Sequence, residues 1–430
     1  MSHRRMIGAL LLTGVLLAGA ACSLSTSPSG VTPAPTATMI SPRAPLTVAW
    51  VVGGDLVTWR SSEGQARRIA SGGVIRSVLS PDGAWIAYLR GPGGDPRTLW
   101  ISDTPGANER QLLDVATLPG GDSTRRMSQV VWAADSSALY VTMRTGSGLD
   151  ARPADDLWCV DVVSGAVERL LDDGDGGHIT ISPDGLRLAL ASAGEYSQPG
   201  EAARTPGRLA LYAPDTRERS VMLEFQPVAT ASEARWLPQP RWLPDGSGLR
   251  VAIPPPELVY GDDDGLTALW WLPVSGEAQQ VGQVEADFFG LPVFSADGAW
   301  TTYIQRRTSP QQTALTLMLA ASDGSAAASY VEGEIGALGP AEWLPGAARF
   351  VFANGAPGAM WIGGPGGDAV HFPSEDVTIR EVVWADANTY VYSALAGESF
   401  TLFFGLLDVP TAPQPIATLE AYPVFDAVLP

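Results

Sequence analysis

The sequence predicts an all-β protein built as a single β-propeller of four-stranded blades, and three observations carry that prediction. A Ser-Pro-Asp-Gly-like turn recurs along the chain at a mean spacing of about 51 residues, the length of one four-stranded blade. A large apolar residue stands at one fixed place before each turn. Glycine and proline, 47 and 35 of the 430 residues, supply the punctuation that many short strands require.

The turn copies are Ser80-Pro81-Asp82-Gly83, Ala133-Ala134-Asp135-Ser136, Ser182-Pro183-Asp184-Gly185, Leu243-Pro244-Asp245-Gly246, Ser295-Ala296-Asp297-Gly298 and Leu344-Pro345-Gly346-Ala347, with a degenerate copy at Ala385-Asp386-Ala387-Asn388. Measured from Asp82 through Asp135, Asp184, Asp245, Asp297 and Gly346 to Asp386, the interval is longest between Asp184 and Asp245 and shortest at the last step. Proline pre-sets φ for a tight turn, the aspartates Asp82, Asp135, Asp184, Asp245 and Asp297 accept from backbone amides, and glycine takes the left-handed conformation. Around each turn the grammar repeats. One short apolar strand enters, a second leaves (Trp85 to Leu89 in the first copy), a third follows (Thr98 to Asp103) and a fourth closes (Gln111 to Leu113).

The residue before each turn is Leu79, Trp132, Ile181, Trp242, Phe294, Trp343 or Trp384. Regular placement of large apolar side chains at one point of every blade reads as packing between blades, not as a ligand cage.

The termini set the blade count. Val48 to Val51 reads as a second strand, with a third in Asp55 to Arg60 and a fourth in Arg67 to Ala70, so the domain begins inside a blade. Phe425 to Leu429 matches Ile75 to Leu79, a first strand. One strand from the C-terminus and three from the N-terminus complete a blade. Together with the seven turn-bearing copies this gives eight blades, or seven if the degenerate copy is not a full blade. A ring latched by its own termini protects edges that would otherwise aggregate.

The Ser-Pro-Asp-Gly turn, followed by a strand such as Trp85-Ile86-Ala87-Tyr88-Leu89, resembles the TolB-type propeller repeat, a WD-repeat-like unit. The same repeat occurs in the N-terminal propellers of prolyl oligopeptidase-type peptidases. The resemblance implies an extracytoplasmic scaffold or binding module. No segment here matches the separate α/β domain of the Tol-system protein, and there is no G-x-S-x-G elbow or hydrolase domain, so a peptidase is rejected. Ser295-Ala296-Asp297-Gly298-Ala299-Trp300-Thr301 approaches a sialidase-type S-x-D-x-G-x-T-W box, but its Asp and Gly are adjacent and its Thr/Trp order is reversed.

Residues 1–21 read as an export signal: Arg4 and Arg5, then an apolar run from Met6 to Ala18 that is too short to span a bilayer comfortably. Gly19-Ala20-Ala21-Cys22 resembles a bacterial lipoprotein signal, which implies Cys22 as a diacylated mature N-terminus; ordinary cleavage near Ala21 is the alternative. Residues 22–45, rich in Ser, Thr and Pro, read as a disordered tether. The propeller then occupies 46–430. With Cys22 acylated, Cys159 is left without a disulfide partner and reads as a small buried apolar residue.

Charge and chemistry narrow the function. The formal net charge is −19 with no lysine in the chain, which argues against nucleic acid as a partner. Apart from His3, only His178 and His371 occur, and neither sits at metal-ligand spacing. The acidic loops at Asp172 to Asp175 and Asp262 to Asp264 contain fragments that resemble calcium ligands, with Asp173, Asp175, Asp262 and Asp264 the candidate oxygens, but both lack the later bidentate acid. They read as solvated loops, and no cofactor is expected.

Long segments at Ser192 to Gly207, Gln226 to Arg241 and Ile253 to Gly265 are the places to look for docking. The sequence therefore predicts a monomeric, non-catalytic, lipid-anchored propeller outside the cytoplasm that binds a protein or envelope polymer. The alternative is a propeller enzyme acting on glycans through carboxylates at the channel mouth. Two or more convergent carboxylates or arginines in a central pocket would favour the latter.

Overall fold

The computed structural model describes residues 42, 44–119, 124–146, 152–196, 203–229, 236–256, 265–308, 313–334, 337–372, 378–409 and 412–430. Cys22, Asp262 and Asp264 lie outside them, as do parts of all three long segments. Among the described residues the helical elements are 3-10 turns of three residues, such as Val115–Thr117 and Phe288–Gly290, and no helix is long and apolar enough to cross a membrane.

Eight antiparallel four-stranded blades follow one another and close into a ring, the sheet of blade 2 being extended by a fifth, two-residue strand, Arg152–Pro153. The inner strands of blades 1 to 8 are Val74–Leu79, Arg126–Trp132, His178–Ile181, Arg241–Trp242, Val293–Phe294, Glu342–Trp343, Thr378–Trp384 and Val424–Val428. Each pairs with the next strand of its sheet, and inner strands of adjoining blades touch one another around the axis, as Val74–Leu79 does with both Val424–Val428 and Arg126–Trp132. The degenerate seventh copy forms a full sheet, Thr378–Trp384, Thr389–Ala396, Ser399–Leu406 and Gln414–Leu419, which decides between seven blades and eight.

Blade 8 is the composite. Thr47–Val52 pairs on one side with Asp55–Arg60 and on the other with Val424–Val428, in the register Val48 to Ala427 and Trp50 to Phe425. Outside the blades, Glu195–Tyr196 and Ala203–Thr205 pair with each other as a two-stranded sheet.

The core is divided among the junctions. Eight buried apolar clusters are found among the described residues, and each joins two neighbouring blades. A sheet with both faces covered needs side chains on both, which explains strands such as Leu188–Ser192 that are buried throughout. The tryptophans before the turns add a directional contact. Trp132 Nε1 donates to Val78 O at 3.1 Å, Trp242 Nε1 to Thr180 O at 3.2 Å and Trp343 Nε1 to Val293 O at 3.1 Å. In each case the acceptor is the residue just before the previous blade's anchor, so one indole N–H per junction ties two inner strands together.

The turns show why their residue types recur. Asp184 Oδ1 accepts from Ser182 Oγ at 2.6 Å and from Leu186 N at 3.0 Å, while Ser182 Oγ accepts from Arg187 N at 2.9 Å. Asp82 and Asp297 make the same contacts with Ser80 and Ser295, whereas Asp135 and Asp245 accept from Ser137 and Ser247. Gly83, Gly185, Gly246 and Gly298 hold φ between +65° and +73°, the left-handed region that spares a Cβ clash.

Hydrogen bonds from Ser137, Ser182 and Ser247 hold the Asp135, Asp184 and Asp245 carboxyls below the usual carboxylate range. Such depressed groups contribute stability above the unfolded pKa and lose it as pH falls through the folded value. Asp184→Ala is therefore expected to lower stability by about 1 kcal/mol at neutral pH, with the difference from wild type shrinking below about pH 4 in urea melts; an equal difference at pH 3 and pH 7 would refute the charge-assisted turn.

Candidate functional site

Three consecutive inner strands are cut short, and proline is the reason. Blades 4, 5 and 6 each have an inner strand of two residues, against four to seven elsewhere. Pro240 and Pro292 stand immediately before Arg241–Trp242 and Val293–Phe294, and Pro340 stands two residues before Glu342–Trp343. Proline has no N–H for the ladder, so pairing begins only after it. In blade 5 the inner strand contributes just Val293 to Thr302 and Phe294 to Thr301, while its partner runs on to Thr308.

Two cavities of about 620 Å³ each lie along the inner strands here. They share Arg241, Glu342 and Trp343. One spans blades 4 to 6 and is walled by Trp236, Leu237, Phe288, Phe289 and Pro292. The other spans the junction of blades 6 and 7, with Met360, Ile379, Arg380, Glu381 and Trp384 added to its lining.

The apolar wall is built by a capped 3-10 turn. Asp287 Oδ1 accepts from Phe289 N at 2.8 Å, Asp287 Oδ2 accepts from Arg306 Nε at 2.7 Å, and Asp287 N donates to Ile304 O at 2.8 Å. Gly290 lets this turn lie on the second strand of blade 5, because a Cβ there would stand 2.3 Å from Ile304 Cβ. Phe289 is thereby left 48 % exposed, edge-on to Phe288 at 6.0 Å. Trp236 packs edge-on against Phe225 at 5.9 Å.

The polar floor arises from a break in the repeat. The residue just before the anchor is valine in blades 1, 2, 5, 7 and 8 (Val78, Val131, Val293, Val383 and Val428) and threonine in blade 3 (Thr180), but Arg241 in blade 4 and Glu342 in blade 6. Burial pushes the Glu342 carboxyl up, the Arg241 guanidinium opposes that shift, and Glu381 adds to it. Burial likewise pulls Arg241 down, with Glu342 acting against it. Glu381 Oε2 accepts from Tyr422 Oη at 2.8 Å. The Tyr422 phenol is pushed up to about 12, by burial first and then by that bond and the Glu381 charge.

The junction of blades 6 and 7 departs in a second way. Trp384 is a fourth tryptophan at the position from which Trp132, Trp242 and Trp343 donate, yet its Nε1 is buried without a hydrogen-bond partner among the described residues. Its ring stacks on Phe372 at 5.8 Å and 30°. Phe294, like Leu79 and Ile181, is an anchor with no side-chain N–H to give.

The residues singled out from sequence lie elsewhere. The turn aspartates sit at the opposite ends of the inner strands. Asp173 accepts from Arg125 at 2.8 and 2.9 Å and from Arg169 at 2.6 Å, and Asp175 faces Arg219 at 3.9 Å, so arginines surround these carboxylates. No group of three or more metal-ligating side chains occurs among the described residues. His178 contacts Gln129 at 3.3 Å and is pushed down by burial, and His371 lies edge-on to Trp361. Cys159 is half-buried, against the full burial expected, and burial raises its thiol. The cavity residues Arg241, Glu342, Glu381 and Trp384 were not legible as a site. The available signal was proline just ahead of the anchor in three successive copies, together with charge replacing valine.

No family model matches the sequence, and no curated protein matches it. Among solved structures the chain is similar to a eukaryotic initiation factor, at 11% identity and a TM-score of 0.51 over 89% of this chain and 98% of that one. It is also similar to prolyl oligopeptidase B from Galerina marginata, at 11% identity and a TM-score of 0.53 over 80% of this chain. The likeness is one of fold. The match takes in 50% of the oligopeptidase chain, so half of that enzyme has no counterpart in the alignment. TolB from Acinetobacter baumannii matches at 15% identity over 80% of this chain and 67% of its own, with a TM-score of 0.38.

Proposed function

We propose that this chain is a membrane-anchored propeller outside the cytoplasm, held through a lipid on Cys22, that binds a partner protein or envelope polymer at the channel mouth of blades 4 to 7 without catalysing a reaction on it. One observation carries the reading. Shortened inner strands, charge in place of the half-buried valine of other blades and a buried indole N–H without a partner all fall within blades 4 to 7. Each departure weakens the propeller locally, and together they make a concave surface with apolar walls and a few convergent polar groups, the usual make-up of a binding site.

The test places a photo-crosslinking amino acid at Phe289 in the full chain expressed in its own envelope. A discrete adduct is expected, and Arg241→Ala with Glu342→Ala should reduce its yield at least tenfold while the melting temperature stays within a few degrees of wild type. Cys22→Ser should shift the protein from the membrane pellet to the soluble extracytoplasmic fraction. Equal adduct yield in the double variant would sink the docking site; unchanged sedimentation of Cys22→Ser would sink the anchor.

A second reading is favoured by a specific feature. Glu342 and Glu381 converge in one cavity, and a raised carboxyl opposite a second carboxylate is what glycan hydrolysis asks of a general acid. Turnover of an oligosaccharide abolished by Glu342→Gln would establish it.

A further inference from the structure

We infer that the cavity between blades 6 and 7 takes a neutral sugar unit, so that the ligand of the channel mouth is an uncharged saccharide chain. The inference rests on the docking reading above and names its ligand class. The cavity presents donors and acceptors side by side. Arg241 and Arg380 give hydrogen bonds, and Glu342 and Glu381 accept them. Its two guanidinium and two carboxylate groups balance, so a ligand with net charge of either sign meets as much repulsion as attraction there.

Hydroxyl groups suit such a lining. Each sugar hydroxyl both donates and accepts, and can satisfy a carboxylate oxygen and an N–H at once without bringing charge. Tyr422 shows the preference within the molecule, since it is a neutral hydroxyl that already bonds one oxygen of Glu381, at 2.8 Å. The other Glu381 oxygen and the Glu342 carboxyl remain for the ligand. A second unit would extend over the neighbouring wall, where the exposed face of Phe289 and the Trp236 ring offer apolar surface for a pyranose ring.

Arg241 gives the sharpest handle. The blade has no need of charge at its position, since valine or threonine holds it in six other blades. Arg241→Gln should therefore leave the melting temperature nearly unchanged while removing a ligand contact.

The experiment is calorimetric titration of the full chain with cellohexaose, maltohexaose and chitohexaose as neutral probes and hexagalacturonate as an anionic one, with an immobilised library of proline- and leucine-rich peptides as a separate arm. At least one neutral hexaose should bind, with affinity reduced tenfold or more in both Arg241→Gln and Glu342→Gln. Preference for the hexagalacturonate, or neutral binding that both variants retain, overturns the inference. Peptide binding lost in Phe289→Ser, with no sugar binding, overturns the saccharide assignment and keeps the docking site. Silence in both arms overturns both.

Discussion

Removal of residues 424–430 is expected to abolish cooperative folding and leave an aggregating chain. Val424–Val428 is the inner strand of blade 8, and it buries Phe425 and Ala427 in the junction with blade 7. Losing a buried phenylalanine alone costs about 3 kcal/mol or more. The larger effect is exposure of Thr47–Val52, whose Val48, Ala49 and Trp50 are at most 2% exposed in the ring and would become an apolar edge strand. Size-exclusion chromatography and urea melts measure the outcome, and a peptide spanning 421–430 added during refolding should restore part of the monomer. A soluble monomer with the wild-type urea midpoint would show that the ring does not depend on its latch.

One hydrogen bond in the latch carries a pH signature. Asp426 Oδ2 accepts from Leu79 N at 2.8 Å, tying blade 8 to blade 1, and burial raises its carboxyl above the usual range. A raised acid contributes fully below its unfolded pKa and loses that contribution as pH rises through the folded value. Asp426→Asn keeps an acceptor oxygen without the charge, so it should flatten that part of the stability profile and gain relative to wild type as pH increases.

Asp156→Ala is expected to destabilise the protein by about 3 kcal/mol, roughly the cost of leaving two buried donors unpaired. Asp156 is fully buried in blade 2. Its two oxygens accept separately, Oδ1 from Met143 N at 2.7 Å and Oδ2 from Trp158 Nε1 at 2.6 Å. Asp156→Asn retains one acceptor and turns an amide N–H₂ toward the other donor, so it should recover only part of the loss. Burial raises the Asp156 carboxyl while these two bonds and Arg125 pull the other way. Burial prevails, and the same sign applies as for Asp426: the stabilisation is greatest at low pH and declines as pH rises. Urea midpoints at pH 4 and pH 8 test both statements. An alanine variant no less stable than an ordinary surface substitution, within about 0.5 kcal/mol of wild type, would refute them.

Asp156 also marks where reading a sequence stops. It precedes the strand Leu157–Asp161 and looks like any acidic loop residue; only the approach of Met143 and Trp158 from two sides makes it structural. Gly290 is similar, since nothing local distinguishes it from other loop glycines until Ile304 is found against it. The turns were legible because their chemistry is local. Asp184 bonds residues two positions away on either side, and Gly185 answers a φ requirement of its own backbone.

The repeat is legible in the residues alone, and with it the all-β class, the four-stranded blade and the latch between Val48 to Val51 and Phe425 to Leu429. These follow from short-range turn chemistry and from period-two patterning, which every copy states again. The full count of eight required the sheet at Thr378–Trp384 to be seen pairing through all four strands, because a degenerate turn alone does not reveal whether its strands find partners. The tertiary structure decided the site. Arg241, Glu342, Glu381 and Trp384 come from three different blades and meet only because the ring brings those blades together, while the prolines beside them shorten the pairing with the next strand of their own blade.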